Sequence, residues 1–259
     1  MKSLSDMIWI EMRKALRSRM PLFTTLGSLF MPLGIGFLIF VSRNSAISEK
    51  LGLISPKADL VAYASTTWAS YLVLVSEIIG VGGFFLFVLV TSWVFGREFA
   101  DGTLKDMWAV PVPRSTILLA KFVVVALLSA AMTLVIVALS LVMGALVNLP
   151  EGSPSVFLQG SAGLLVTALL TIGVVAPFAL IASIGRGYLL PLGVAVLTAV
   201  MANIFAVAGW GEFFPWGVPG LYAQGKGALG PASYWIVLLT CLVGMAGTYL
   251  WWRFADQNR

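Results

Sequence analysis

The side chains that could carry chemistry are few in this sequence. The chain has no histidine and a single cysteine, Cys241, which lies in a late apolar run. Histidine is the usual general base near neutral pH, and a lone thiol without a histidine makes neither a metal cluster nor an activated nucleophile. We therefore expect no metal site, and no catalysis by this chain alone.

One carboxylate lies close to the interior of an apolar run. Glu77, in YLVLVSEIIGVGG, is an ionisable group of the kind that contacts a substrate or an ion inside a membrane. It also lies near the end of its run, where the side chain could reach the membrane surface. Two interpretations stay open: a substrate or gating contact, or an interfacial acid.

Further charge is concentrated in residues 95–115, FGREFADGTLKDMWAVPVPRS. Gly102 interrupts the helical pattern that precedes it. Thr103 followed by Asp106 fits a capping box, in which the threonine oxygen and the acid satisfy the first free amides of a helix. We predict a short helix that begins at Thr103, inside a loop over residues 96–114.

The predicted short helix has one apolar face, formed by residues spaced i, i+3 and i+4: Leu104, Met107 and Trp108. Pro111 and Pro113 end it, because proline lacks an amide and disfavours the helical conformation in the residue before it. Ser115 is placed to cap the next helix. Because so short a helix is unstable alone in water, we expect its apolar face to pack against lipid or a protein groove.

The elements that must position these groups are apolar helices. Of 259 residues, 59% are hydrophobic and 10% are charged, against about a quarter charged in soluble domains. A helix needs about 20 apolar residues to cross a bilayer. Six segments qualify, at about 22–41, 70–95, 115–147, 156–184, 188–210 and 234–252. We predict an all-α integral membrane protein, a single domain over residues 1–259 with six transmembrane helices.

The basic residues predict which side of the membrane each loop faces. With the N-terminus inside, twelve of the 16 lysines and arginines fall on the inner side, and four on the outer: Arg43, Lys50, Lys57 and Lys226. Inner loops carry the positive excess, so we predict a multi-pass protein of the cell membrane with both termini cytoplasmic. All nine tryptophans lie at or beyond the predicted span ends, as the interface preference of indole predicts. The basic residues flank apolar runs and form no patch with exposed aromatics, so we expect no nucleic-acid partner.

Residues 1–20 have an amphipathic pattern. Apolar residues recur at i, i+4 spacing: Leu4, Ile8, Met12, Leu16 and Met20. Charged residues fall mainly on the other side: Asp6, Arg13, Lys14 and Arg17. We predict an interfacial helix that favours anionic lipid. A signal peptide is disfavoured, because its charged region would be too long and the following apolar run has the length of a span.

The outer loop over residues 211–233 is rich in glycine, proline and aromatic residues. It is too aromatic for a free loop and too broken for a span, so we predict short re-entrant pieces that pack back into the membrane surface. Phe213, Phe214 and Trp216 are candidates for an outer gate. The alternative is an interfacial anchor.

Helix-breaking, small and polar residues mark three of the spans. Pro177 predicts a kink in span four. Gly80, Gly82 and Gly83 permit close helix packing in span two, and Asn203 predicts an interhelical hydrogen bond in span five.

The segment REFADGTLKDMWAVPVPRSTILLAK resembles the region between the second and third helices in permeases of the ABC-2 type. Their pattern is an acid, then Gly-Thr, then a proline with a basic residue behind it, and a lysine entering the next helix. The matching positions are Glu98, Gly102, Thr103, Pro113, Arg114 and Lys121. Six spans, the N-terminal helix and cytoplasmic termini extend the resemblance over nearly the whole chain. Its size and ending are similar to the bacitracin and lantibiotic self-protection branch.

The resemblance implies an elbow helix, a coupling helix and a separate ATPase. The elbow helix is the N-terminal one, with Trp9, Glu11, Arg13, Lys14 and Arg17. The implied ATPase-coupling residues are Glu98, Gly102, Thr103, Leu104, Asp106, Met107, Trp108, Pro113 and Arg114. Two ATPase subunits would dock there, beneath two permease chains that are identical or similar. This chain has no G-x-x-x-x-G-K-[ST] phosphate loop, so no cofactor is expected on it, and ATP and Mg²⁺ would bind the partner ATPase.

The implied function is that of a permease subunit of an ATP-binding cassette exporter for hydrophobic or amphipathic compounds, such as antimicrobial peptides or lipid-linked antibiotics. Two alternatives stay open: an ATP-independent membrane transporter, and a membrane anchor of a signalling complex. The first alternative needs polar groups deep in the spans, and the spans are nearly free of charge.

Overall fold

The computed structural model describes residues 4–44, 66–103, 111–225 and 229–254, and every element in these ranges is a helix. An elbow helix, Leu4–Arg17, comes first. Six helices long and apolar enough to cross a membrane follow, which we number as spans one to six: Met20–Arg43, Trp68–Ala100, Arg114–Leu146, Pro154–Ile184, Leu189–Val207 and Pro231–Phe254. The predicted six-span architecture is confirmed, and the largest difference is that span two continues to Ala100.

The elbow helix packs on span three through a face that the sequence pattern did not indicate. Its buried residues are Met7, Glu11 and Ala15. Leu4 and Leu16 of the predicted apolar stripe are exposed, Leu16 by 64%. The helix therefore has a protein-facing side that includes a carboxylate, and its exposed apolar residues are left for lipid.

Two apolar clusters form the core. The larger one lies around Phe87, Phe95 and Phe178, and the smaller one lies around Ile39 and Leu72. Span five takes little part in either, because its only fully buried residues are Pro191 and Ala195. Most of its apolar surface therefore faces outward.

Span two is interrupted by a π-helix at Ile79–Gly83, between the α-helical parts Trp68–Ile78 and Phe84–Ala100. The glycines allow the predicted close approach: a Cβ at Gly80 would lie 3.4 Å from the backbone of Gly220. Gly220 belongs to a short helix, Val218–Gln224, which we call the loop helix. Span two and the loop helix therefore meet almost backbone to backbone.

Span four breaks at Ala176, between the helices Pro154–Val175 and Pro177–Ile184. The kink predicted from Pro177 is confirmed, because proline offers no amide to continue the ladder. Span six packs into the break through Gly244, where a Cβ would lie 2.5 Å from the nitrogen of Pro177 and 2.8 Å from the carbonyl carbon of Ala176.

Two tryptophans at span ends are packed inside the protein, where the interface preference does not account for their placement. Trp252 is fully buried, and its Nε1 donates to Ser183 Oγ at 2.9 Å. Trp68 is also buried, with its ring centroid 4.8 Å from that of Phe157. Their positions follow from packing between spans.

We expect Gly244→Ala to destabilise the protein by about 1–3 kcal/mol, since the added methyl group meets rigid backbone at the break in span four. Thermal unfolding in detergent measures the effect as a lower midpoint. Gly163→Ala, in span four, is the matched control, because nothing lies within 4 Å of a Cβ there. Equal midpoints for the two variants would contradict the packing described for Gly244.

Candidate functional site

Lys121 lies about two turns into span three, and its side chain is completely buried, with 0% exposed. Its Nζ donates to Glu98 Oε1 at 2.6 Å, to Glu11 Oε2 at 3.0 Å and to the carbonyl oxygen of Val94 at 2.9 Å. An ammonium group has three donors, so every one of them has an acceptor. The elbow helix, span two and span three therefore meet at one nitrogen atom.

Lys14 completes a group of four residues that we call the lysine–glutamate cluster: Glu11, Lys14, Glu98 and Lys121. The Nζ of Lys14 lies 2.8 Å from Glu11 Oε1 and 3.6 Å from Glu98 Oε1. Two positive and two negative groups cancel in formal charge. Only Lys14 reaches solvent, because its side chain is 37% exposed while those of the other three are at most 5% exposed.

Burial of these charges is costly, and their pairing compensates for it. Removing one partner of a buried ion pair typically costs about 3–5 kcal/mol. Burial alone would raise the pKa of Glu11, but the positive charges of Lys121 and Lys14 outweigh it and hold that pKa below its ordinary 4.5. Ionised Glu11 therefore stabilises the docked elbow helix above about pH 4.5, and this contribution is lost as the pH falls through the lowered pKa.

Further polar contacts tie the same end of the bundle together. Arg97 pairs with Asp101 at 3.2 Å and donates to the carbonyl oxygen of Lys14 at 3.4 Å. Arg114 donates to the carbonyl oxygen of Trp252 at 2.7 Å, which joins the start of span three to the end of span six. We call this end of the bundle the elbow end.

The predicted coupling residues separate into a buried group and an exposed one. Glu98 is buried in the lysine–glutamate cluster, whereas Gly102, Thr103, Pro113 and Arg114 are exposed. Gly102 has φ +70°, a conformation that glycine adopts without strain, and it follows the end of span two at Ala100. The remaining coupling residues lie outside the described residues, so the short helix stays a prediction: Leu104, Asp106, Met107 and Trp108.

The predicted cap at Ser115 is wrong. Span three begins at Arg114, and its N-cap residue is Pro113, without a side-chain hydrogen bond. Because proline fixes its own φ, the chain enters the helix at Pro113, two residues earlier than a cap at Ser115 would place it.

The predicted elbow residues also divide between two environments. Glu11 and Lys14 belong to the lysine–glutamate cluster. Trp9, Arg13 and Arg17 are exposed. Lys121 entered the sequence argument only as a match to a family pattern, although a lysine inside a predicted span is by itself a signal of a buried partner.

The four candidate gating residues lie toward the opposite end of the bundle, and their surroundings differ. Glu77 is half-buried, and it is the next-to-last residue of the α-helical part of span two that ends at Ile78, just before the π-helix. Phe213 is 61% exposed, in a short 3₁₀-helix, and Phe214 stacks on Phe205 with ring centroids 4.7 Å apart. Trp216 Nε1 donates to the carbonyl oxygen of Val174 at 2.8 Å.

The 211–225 segment therefore folds into the short pieces that its composition predicted, a 3₁₀-helix and the loop helix. Val218 is completely buried. The segment packs against spans two, four and five, so the indole of Trp216 is anchored on span four.

Two cavities adjoin the loop helix. One, of about 110 Å³, is lined by residues that include Gly80, Phe84, Asn203 and Trp216. The amide nitrogen of Asn203 contacts the carbonyl oxygen of Ala199 in its own helix at 3.5 Å, so the predicted interhelical bond is not formed and the amide faces the cavity.

The other cavity, of about 540 Å³, lies between the first part of span two, the first part of span four and the loop helix. Its mainly apolar wall carries two phenol groups, Tyr222 and Tyr234, and the amide of Gln159. Such a wall suits an amphipathic molecule. Within the described ranges, no three acidic or cysteine side chains are grouped to hold a metal ion.

We expect Lys121→Met to destabilise the protein by about 3–5 kcal/mol, because it leaves Glu11 and Glu98 buried without their common partner. The matched control is the combined variant Lys121→Met, Glu11→Gln, Glu98→Gln, in which the stranded charges are also removed. Thermal unfolding in detergent should place the combined variant closer to the wild type than the single one. A single variant as stable as the wild type would show that the pairing is not needed.

The comparisons with known proteins agree with this architecture. Residues 7–203 match the model of the family described as ABC-2 family transporter protein, and this range runs from the elbow helix into span five. The chain is 24% identical over 176 residues to the bacitracin transport permease protein BCRB of Bacillus licheniformis, covering 66% of this chain and 84% of that protein. No solved structure matches the chain.

The matched range contains all four members of the lysine–glutamate cluster, the first four spans and most of the fifth. It covers well over half of the chain. On this evidence, and with six membrane spans in the structure, the protein belongs to the ABC-2 family of transporter proteins.

Proposed function

We propose that this chain is the permease subunit of an ATP-binding cassette exporter, powered by a separate ATPase that docks at the elbow end. Membership of a transporter family and the similarity to a bacitracin transport permease support a transport role. The absence of a phosphate-binding loop from the sequence supports a motor on another polypeptide. That ATPase would bind ATP and Mg²⁺, and this chain would contribute no catalytic group.

The observation that carries the proposal is the lysine–glutamate cluster. Glu98 precedes the 101–113 connection and Lys121 follows it, and Lys121 pairs both with Glu98 and with Glu11 of the elbow helix. A force applied to the connection would therefore reach the elbow helix, span two and span three together. This is the arrangement that an external motor needs in order to move several helices as one unit.

Two interruptions in the spans offer places where such a movement could open a path. The π-helix Ile79–Gly83 and the break at Ala176 interrupt the helical ladders of spans two and four, and interruptions of this kind often act as hinges. The loop helix rests on both spans. In the proposed cycle it moves aside when the spans rock, with both termini and the elbow end on the cytoplasmic side.

The substrate class follows from the cavities and from the membrane setting. An apolar wall with phenol and amide groups would accept a hydrophobic or amphipathic compound that enters from the bilayer. An antimicrobial peptide or a lipid-linked antibiotic has this character, and the named relative transports bacitracin. Export of such compounds is the activity that we propose.

A second permease chain, identical or similar, would complete the path. The apolar surface of span five faces outward, with residues such as Leu189, Leu197 and Val207 strongly exposed. Lipid would cover this surface in a single chain. A second copy would cover part of it and place a pathway between two permeases.

Gly102→Pro should uncouple ATP hydrolysis from transport. Proline cannot adopt the positive φ of Gly102, so the variant reorients the connection without reaching the core. Trp108→Glu should have the same effect by placing a charge on the predicted docking face. We expect transport per ATP hydrolysed to fall at least about fivefold, which is the lower end of the range for coupling between two sites in a protein.

The measurement uses the chain co-purified with its ATPase and reconstituted in liposomes, with ATP hydrolysis and peptide efflux followed together. Ser115→Ala, at an exposed position beside the connection, is the control. Unchanged efflux per ATP in both coupling variants would remove the coupling role. Efflux from liposomes that hold no ATPase would favour the ATP-independent transporter instead.

A further inference from the structure

We propose that the elbow end holds an anionic phospholipid of the surrounding leaflet in a groove between the elbow helix and spans one, two and three. The groove has a volume of about 160 Å³. Its lining comes from the end of the elbow helix, the start of span one and the facing sides of spans two and three, and includes Leu16, Met20, Val90, Trp93, Leu128 and Ala131. This site is separate from the cavities at the opposite end.

The lining of the groove suits an acyl chain. Apart from two threonines, the residues named for it are apolar. One of these threonines, Thr24, donates its hydroxyl hydrogen to the backbone of its own helix, with Met20 O at 3.0 Å. Leu16 at the mouth is largely exposed, so an aliphatic chain in the membrane has access.

Positive charge stands beside the mouth of the groove. Arg13, Arg17 and Arg19 are exposed, and no carboxylate among the residues described in the structure forms a salt bridge with any of them. Arg17 and Arg19 lie in the sequence between Leu16 and Met20, both of which line the groove. The rim therefore carries uncompensated cationic charge.

The excess of positive charge does not extend to two neighbouring cations, because both are paired with acids. Lys14 is neutralised by Glu11, and Arg97 by Asp101. The guanidinium of Arg97 also lies over the indole of Trp93, with 5.1 Å from Cζ to the ring centroid, so a paired arginine closes the groove on the span two side. Among the described residues beside the groove, the arginines without a salt bridge lie on the elbow side.

A phospholipid with an anionic headgroup is the ligand that uses both features. Arginine binds phosphate through two parallel hydrogen bonds, and the acyl chain would fill the adjoining apolar slot. A soluble acidic protein would engage the arginines and leave the groove uncovered. A neutral amphipathic compound would fill the groove and leave the arginines unpaired.

Bound there, the lipid would brace the elbow helix from the membrane side, while the lysine–glutamate cluster holds it from the protein side. The inference depends on the membrane setting and on the elbow contacts. It does not depend on an ATPase or on the transported compound, so the two proposals fail or stand separately.

The test is native mass spectrometry of the purified full-length chain in detergent, with added phosphatidylglycerol or phosphatidylcholine of identical acyl chains. We expect the wild type to retain phosphatidylglycerol in preference. Arg17→Gln and Arg19→Gln should each weaken retention about fivefold, the factor for one basic residue at a membrane surface. Ala131→Phe, which fills the groove from an exposed position, should also weaken it.

Arg253→Gln is the matched control, because it removes the same charge at the elbow end but on span six. It should leave retention unchanged. Equal retention of the two lipids would overturn the site, as would an Arg253→Gln effect as large as that of Arg17→Gln. Unchanged retention in Ala131→Phe would mean that the lipid binds by charge alone, and would overturn the claim that the groove holds its acyl chain.

Discussion

An ammonium group that is removed from water must find an acceptor for each of its protons, and Lys121 finds them in three different elements. The consequence reaches beyond one side chain. If the elbow helix left its place, Glu11 would go with it, and the buried ammonium of Lys121 would lose one of its three acceptors. Desolvation of charge therefore contributes to fixing where the elbow helix lies against spans two and three.

The two ends of the bundle consequently differ in character. The elbow end is held by ion pairs and by hydrogen bonds between distant elements, such as that from Arg114 to Trp252. Away from this end lie the π-helix of span two and a loop helix packed backbone to backbone on Gly80. A protein that is rigid where it would be driven and irregular where it would open suits the proposed transport cycle. The outward apolar surface of span five suits a partner in that cycle.

Local and compositional features were predictable, and pairings between distant residues were not. Long apolar runs specify spans wherever they occur, and Pro177 breaks a helix whatever packs beside it. Glu11 and Lys121 are 110 positions apart, and no sequence spacing relates them. The elbow stripe predicted one apolar face, but periodicity could not indicate that Met7 and Ala15 flank a buried acid on another. The glycines of span two indicated close approach without indicating a π-helix.

The central claim is that the elbow helix and span three move as one unit. Spin labels at Arg13→Cys and Ser115→Cys, both exposed, in a Cys241→Ser background, give the distance between them by pulsed electron resonance in the complex with its ATPase. In a separate sample, the distance between two labels at Ser115→Cys, one on each of two permease chains, reports whether the complex has changed state. The account predicts an unchanged distance between the elbow helix and span three with and without trapped ATP. A distance that changes between the two states would contradict it.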